Sequence, residues 1–147
     1  YEPVSETVLL DPVKMREVFI NIFSNAADAI NESGKIVIGT RRALNAVIVT
    51  VEDSGSGITK SDAKNIFQPF FTTKPKGTGL GLAVTHKIIE NHGGRIFVES
   101  VKGSGTEFAL EFPVKAAAGL DKNALADSRM ASENFQIAFR GQKRGNG

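Results

Sequence analysis

The stretch Phe67-Gln68-Pro69-Phe70-Phe71-Thr72-Thr73-Lys74-Pro75-Lys76-Gly77-Thr78-Gly79-Leu80-Gly81-Leu82 decides how the rest of the chain is read. Between Gln68 and Thr78 no hydrophobic period survives, and two prolines and a glycine interrupt any helix or strand. A mobile loop is expected there. The rings of Phe67, Phe70 and Phe71 sit at its start, followed by Thr72, Thr73 and Lys74. They read either as a staple under a loop or as the hinge of a lid that carries hydroxyl and ammonium groups toward phosphate. From Gly79 to Asn91 a helix is expected, with Leu80, Ala83, Val84 and Ile88 turned inward. Gly77, Gly79 and Gly81 then fall at a helix N-terminus, where free N–H groups and the helix dipole attract anions. The segment is not a P-loop, because Lys and Ser/Thr do not follow the last glycine. It is a poor dinucleotide fingerprint too, because no strand runs directly into it.

Upstream, Asp11-Pro12 reads as a helix start, with Asp as N-cap and Pro at the first helical position. From Met15, apolar residues recur at Val18, Phe19, Ile22, Phe23, Ala26 and Ile30, one helical face. Gly34 is the expected left-handed cap. Beside that face run Asn21, Asn25 and Asp28, spaced i, i+4 and i+7 along one side. Carboxamide oxygens suit a hard cation such as Mg²⁺; helix-surface amides and a cap-like Asp are the plainer reading. Thr7-Val8-Leu9-Leu10 is expected to form an edge strand.

Residues 35–41 and 46–53 are expected to pair as a hairpin around Ala43-Leu44-Asn45. The second of these strands ends in Glu52-Asp53-Ser54-Gly55-Ser56-Gly57. An Asp at a strand end can accept from an exocyclic amine, and the glycines let backbone approach a flat ring; an ordinary glycine turn is the alternative. Thr59 can cap a short helix reaching Phe67. Downstream, Gly93-Gly94 closes the second long helix, and residues 95–100 and 106–113 form another hairpin. Phe108, Leu110 and Phe112 alternate with Glu107, Ala109 and Glu111, giving one buried and one wet face.

Bulk composition narrows the class. The chain has 147 residues, 41% hydrophobic and 23% charged, ordinary for a soluble domain with a real core. Absence of cysteine removes disulfide and thiolate chemistry. A net charge of +2, without basic blocks interleaved with aromatics, argues against nucleic acid. No apolar run approaches the roughly 18 residues of a membrane span, and no signal-peptide pattern opens the chain. A cytoplasmic location is expected, with any membrane tether in N-terminal regions outside this sequence. Residues 1–115 read as one domain. Residues 116–147 read as a linker and tail too poor in apolar residues for a core. A flexible tail, a docking peptide and residues added for expression all remain open for it.

In order, an Asn-bearing helix, Asp-x-Gly-x-Gly, Phe-x-x-Phe-Phe-Thr-Thr-Lys and Gly-Thr-Gly-Leu-Gly-Leu resemble the catalytic domain of two-component sensor histidine kinases. That family lies in the wider group of gyrase, the mismatch-repair MutL proteins and the heat-shock-90 chaperones. The likeness runs from about Val8 to Val114, through Asn91-His92-Gly93-Gly94 and Gly103-Ser104-Gly105-Thr106-Glu107-Phe108. Between Phe67 and Leu82 it is nearest to nitrogen-regulation-type kinases.

The resemblance implies a two-layer α/β sandwich, the Bergerat ATP-binding fold. A mixed, mostly antiparallel sheet packs on three helices, with nucleotide between helices and lid. It implies a protein-histidine kinase that binds ATP with Mg²⁺, releases ADP and phosphorylates a histidine on a separate dimerisation domain. Downstream stands a response regulator. The isolated domain is expected to be monomeric and the full protein a homodimer. The implied metal ligand is Asn25, with Asn21 second; Asn21, Asn25 and Lys74 form the implied catalytic set. Asp53 takes the adenine amine, Thr106 the purine side, and Gly55, Gly57 and Ile58 shape the pocket. Asn25, Asp28, Phe67, Thr72, Thr73, Lys74, Lys76, Gly77, Thr78, Gly79, Leu80, Gly81 and Leu82 complete the implied nucleotide set.

At position 21 hydrolytic relatives carry a Glu that activates water. An amide has no basic pKa near neutrality, so Asn21 favours transfer to a side chain over hydrolysis. His86 and His92 lack the acceptor context and read as structural: His86 as helix surface or packing near the nucleotide, His92 as a C-terminal dipole partner. Two other readings stand beside this one. They are a serine kinase of the anti-sigma type, which usually lacks the Phe-Phe-Thr-Thr-Lys run, and a non-catalytic nucleotide clamp.

Overall fold

The computed structural model describes residues 8–114 and the backbone of Ile137–Ala138. Helix α1, Pro12–Ala29, starts as its sequence asks: Asp11 Oδ1 accepts from the N–H groups of Val13 (2.8 Å) and Lys14 (3.1 Å). The Lys14 N–H above all, then the Val13 N–H and the Lys14 charge, hold the Asp11 carboxyl below its ordinary pKa against desolvation. The cap's contribution is therefore present above the ordinary carboxylate pKa and fades as pH falls through the lowered one. Met15, Val18, Ile22 and Ala26 form the buried face of α1, and Phe19 stacks on Phe23 at 5.8 Å.

Helix α1 stops at Ala29, with Ile30 extended, so Gly34 is not its left-handed cap. The Ala29 carbonyl is taken over by the Ser56 N–H at 2.9 Å, and Gly34 instead passes close to Ile30 and Ser54. Residues 8–10 form no strand. Val8 and Leu10 pack against the core while Leu9 stays exposed, so their alternation reflects packing rather than a ladder. Residues 1–7 lie outside the described part, as does the tail beyond Val114 apart from Ile137–Ala138.

Strands β1 (Ile36–Ala43) and β2 (Ala46–Asp53) make the first hairpin, and β3 (Arg95–Val101) and β4 (Gly105–Pro113) the second. The sheet order is β1-β2-β4-β3-β5; the first four are antiparallel, and β5, Ile137–Ala138, runs parallel to β3. Pairing of β2 with β4 joins the hairpins and stacks inward residues in rows. Val51, Phe108 and Val98 form one row and Val49, Leu110 and Ile96 the next. Short α2, Lys60–Ala63, is capped by Thr59, whose hydroxyl accepts from the Asp62 N–H.

The third helix, α3 (Gly81–Asn91), and α1 cover one face of the sheet, α1 over β2 and β4 and α3 over β3. Together with the inward strand residues they enclose Ile22, Ile88, Ile89, Ile66 and Phe112. Each such side chain, once buried, contributes roughly 1.5–3 kcal/mol. The expected two-layer α/β sandwich on three helices is thus the architecture of the described residues. One helical face is corrected. Thr85, Ile88 and Ile89 are buried in α3, whereas Leu80 and Val84 are exposed. Asn21 supplies the reason: its amide donates to Thr85 Oγ1, so a polar residue can take the interior position.

The end of α3 is closed by bonds from Gly93 N–H to Glu90 O and from Gly94 N–H to Ile89 O, both 2.9 Å. His92 joins the two long helices. The Asp11 N–H donates to its Nε2 at 3.1 Å, so the ring proton sits on Nδ1 and is donated to Ile88 O at 2.7 Å.

The β3–β4 turn gives a direct test of packing against backbone strain. Gly103 (φ 84) and Gly105 (φ 103) both have left-handed backbone, but only at Gly105 would a Cβ meet the Asp53 carbonyl oxygen, at 1.9 Å. Gly103→Ala is expected to cost about 1–2 kcal/mol, the left-handed penalty alone. Gly105→Ala should cost on the order of 3 kcal/mol or more. Urea unfolding of both variants checks this, and equal costs would contradict it.

Candidate nucleotide site

The Asn21-Asn25-Asp28 stripe of α1 divides its work. Asn21 Nδ2 donates to Gly81 O (3.1 Å) and Thr85 Oγ1 (3.3 Å), holding the first turn of α3 against α1. Asn25 Oδ1 and Asp28 Oδ2 converge instead on one cation, the Lys74 ammonium, which lies 2.7 Å from each. Lys74 comes from the loop between α2 and α3, 49 and 46 residues away in sequence. The pair is about half exposed, with side chains at 39% and 54%. Such an ion pair contributes less than about 1 kcal/mol and can give way readily.

The loop itself has a firm base and an exposed tip. Phe67 and Phe71 pack against the core, and the Phe67 ring lies 5.5 Å from that of His86. Phe70 is not a third anchor, since its side chain is 75% exposed. Its backbone does the closing: Phe70 N–H donates to Gly79 O at 2.9 Å, with Phe70 itself at φ 67. Gly79 is required opposite it, because a Cβ there would lie 2.4 Å from the Phe70 carbonyl carbon. At the tip, Thr72 Oγ1 accepts from Lys74 N–H (3.1 Å) and Lys74 O accepts from Gly77 N–H (3.1 Å). That small turn aims Lys74 at α1. Thr73, Lys76 and Thr78 are exposed on the same loop.

Helix α3 begins at Gly81, directly after this loop. Its N-cap is Leu80, which makes no side-chain cap bond, whereas Asp11 and Thr59 cap the other two described helices. The first-turn N–H groups of Gly81, Leu82 and Ala83 are consequently donors for an outside acceptor. Leu82 and Ile58 are partly buried against the core.

Asp53 stands at the end of β2. It is 5% exposed, and its Oδ1 accepts from Gly55 N–H at 2.8 Å. Burial pushes its carboxyl above the ordinary pKa; the N–H groups of Gly55 and Thr106 pull it down, and Glu52 adds to the rise. Thr106 sits directly opposite on β4, and Ser100 opposite Thr106 on β3, so the three share one row of the helix-covered face. Gly55 and Gly57 work by close packing. A Cβ on Gly55 would strike the last backbone carbonyl of α1, and one on Gly57 the Val101 carbonyl. A cleft of about 450 Å³ lined by Ala29, Asn31, Ser54, Gly55 and Lys102 touches this loop but excludes Asp53, Asn25 and α3.

Two contributors escape sequence reading. Ser100 bonds Thr106, and Thr85 receives Asn21. For Ser100 a signal exists: it continues the inward alternation of Ile96 and Val98 as a polar residue. Thr85 is masked by apolar neighbours that fit the helical period better.

Comparison with known proteins follows the same lines. The family described as histidine kinase-, DNA gyrase B- and HSP90-like ATPase matches residues 10–116. The sensor histidine kinase ZraS of Escherichia coli O157:H7 is 45% identical over 104 residues, which is 71% of this chain and 23% of ZraS. Sporulation kinase E of Bacillus subtilis (strain 168) is 42% identical over 118 residues, 79% of this chain and 16% of that kinase. The chain therefore spans less than a quarter of these relatives. The solved catalytic domain of the histidine kinase ThkA is 43% identical, with a TM-score of 0.65, covering 72% of this chain and 70% of that one. Most of a solved domain is matched here at that identity, and one family spans most of the sequence: this chain belongs to the histidine-kinase catalytic domains of the histidine kinase-, DNA gyrase B- and HSP90-like ATPase family.

Proposed function

We propose that the chain binds MgATP and donates the γ-phosphoryl group to a histidine on a separate dimerisation domain, leaving ADP. The observation that carries this reading is the meeting of Asn25 Oδ1 and Asp28 Oδ2 on the Lys74 ammonium. Two hard oxygens already converge on a cation, beside a helix N-terminus with unclaimed donors, and that donor set fits Mg²⁺. Mg²⁺, when bound, would neutralise charge on the phosphates. Asn25 would hold it, with Asp28 alongside; Asn21, whose amide N–H groups are committed to α3, is the weaker ligand.

The remaining roles belong to the chain's own groups. Asp53 accepts from the adenine amine, with Thr106 on the purine side and Ile58 against the ring. The first turn of α3, with Gly77, Gly79, Gly81 and Leu82, takes the phosphates. Thr72, Thr73, Lys74, Lys76 and Thr78 close over them on a lid anchored by Phe67. Phosphoryl transfer asks mainly for positioning and neutralised charge. With an amide at position 21, that position supplies no base to activate water. Full-length ShkA, 30% identical over 78% of this chain and 24% of that one, was solved in complex with AMPPNP, which supports a nucleotide site.

In the whole protein we place this domain on the cytoplasmic side, in a homodimer that signals to a response regulator. No described helix is long and apolar enough to cross a membrane. The run Phe67–Leu82 supports a nitrogen-regulation type, and residues 116–147 a linker and tail.

Asn25→Ala is expected to weaken MgATP binding tenfold or more while leaving the fold intact; calorimetry with Mg²⁺ and with EDTA measures it. Equal MgATP affinity would remove Asn25 from the site.

Asp53→Asn should weaken ATP binding at neutral pH by roughly tenfold. Its stability effect depends on pH. A raised carboxyl pKa means the folded state holds this proton more tightly. Stability is then lost as pH rises through the raised value, and the penalty persists above it. Asn carries no such penalty. The variant's melting temperature relative to the parent should therefore be more favourable near neutrality than at about pH 3.5. The same difference at both values would contradict the assignment.

Incubated alone with labelled ATP, the chain should not label His86 or His92. Adding the acceptor domain of a matching kinase should yield an acid-labile, base-stable phosphoprotein. Stoichiometric self-labelling would overturn the donor-only reading.

A further inference from the structure

Ser100 is buried on β3, 5% exposed, at the end of the row it forms with Thr106 and Asp53. Its hydroxyl meets three neighbours. Ser100 Oγ donates to Gly105 O at 2.9 Å, because a carbonyl oxygen can only accept. The Ile58 N–H donates to Ser100 Oγ at 2.8 Å, because an amide can only donate. Thr106 Oγ1 lies 3.0 Å away. The single Ser100 proton is already used on Gly105, so the Thr106 hydroxyl must be the donor in this third contact. One donated proton and two accepted ones saturate Ser100.

A hydroxyl has one proton, and that of Thr106 is spent on Ser100. Toward anything else Thr106 offers only lone pairs. Asp53, directly opposite across β2 and β4, is an acceptor as well when ionised. We propose that Ser100 is a specificity-positioning residue: it fixes Thr106 as a hydrogen-bond acceptor, so that Thr106 and Asp53 together select a purine edge that presents donors. A 6-amino purine meets this wall directly or through a water that donates to Thr106. A 6-oxo purine brings a carbonyl against acceptors, an unpaired arrangement that costs affinity. The inference rests on Asp53 and Thr106 forming the purine site.

The test is calorimetric binding of ATP and of inosine triphosphate, which carries a 6-carbonyl in place of the 6-amino group and a proton on N1. The proteins are the parent chain, Ser100→Ala, Thr106→Val and the double variant. The parent should prefer ATP. Ser100→Ala frees the Thr106 hydroxyl to donate, and the ATP-to-inosine-triphosphate ratio should fall roughly tenfold, the scale of one mismatched buried hydrogen bond. In the Thr106→Val background the Ser100→Ala change should no longer alter the ratio, because there is no hydroxyl left to orient. A Ser100→Ala variant that weakens both nucleotides equally would overturn the proposal, since that is loss of support alone. So would a ratio shift that persists with Thr106→Val, or a parent that binds both alike. Should Ser100→Ala not fold, Ser100→Cys, similar in size with a weak donor, serves in its place against the same outcomes. A parent that binds neither nucleotide would instead overturn the MgATP reading itself.

Discussion

Antiparallel pairing of β2 with β4 is the constraint on which the rest of the structure depends. Neither hairpin alone buries enough to stand in water. Joined through β2 and β4, they align Val51 with Phe108 and Val49 with Leu110, and this row structure gives α1 and α3 one continuous apolar floor. The same register sets Asp53 opposite Thr106. A slip of one residue would turn every inward side chain outward. The core and the Asp53–Thr106 pair are thus products of a single alignment, and the core's dependence on it protects the geometry of that pair.

Helix α1 lies over that alignment and serves three neighbours with adjacent faces. Met15, Val18, Ile22 and Ala26 bind it to the sheet. Asn21 holds the start of α3, and Asn25 with Asp28 meets the α2–α3 loop through Lys74. His92 reaches back from the end of α3 to the N–H of Asp11, so α3 is fastened to α1 at both of its ends. The part held least firmly is the loop between α2 and α3. Its base is fixed by Phe67, Phe71 and the Phe70–Gly79 bond, while its tip rests on a half-exposed ion pair. A firm floor under a weakly held cover suits a site that must admit and release a charged ligand.

Much was legible in order along the chain. Alternation in residues 46–53 and 106–113 marked strands, the Asp11-Pro12 pair marked the start of α1, and Thr59 marked α2; each depends on bonds among near neighbours. Periodicity failed where a partner distant in sequence set the environment. Val84 fits an apolar helical face better than Thr85, yet Thr85 is inside because Asn21 hydrogen-bonds it from another helix. Helix α1 ends five residues before Gly34 because Ser56 takes its last carbonyl, and no local rule contains that event.

By itself the sequence determined the residue types and their spacing. It supplied an amide and carboxylate stripe, an Asp at a strand end, a glycine-bearing turn into a helix and a basic loop anchored by rings. These follow from covalent order and from the periods of helix and strand. Only the tertiary structure decided which of these groups face one another. It brought Lys74 to Asn25 and Asp28, and it left α3 with no side chain to cap its first turn. It also placed Ser100 beside Thr106, where the hydroxyl proton becomes committed. The physical reason is that hydrogen bonds and ion pairs act over about 3 Å of space whatever their separation in sequence. A strand serine acquires a direction for its proton only when register supplies the carbonyl and amide on either side of it.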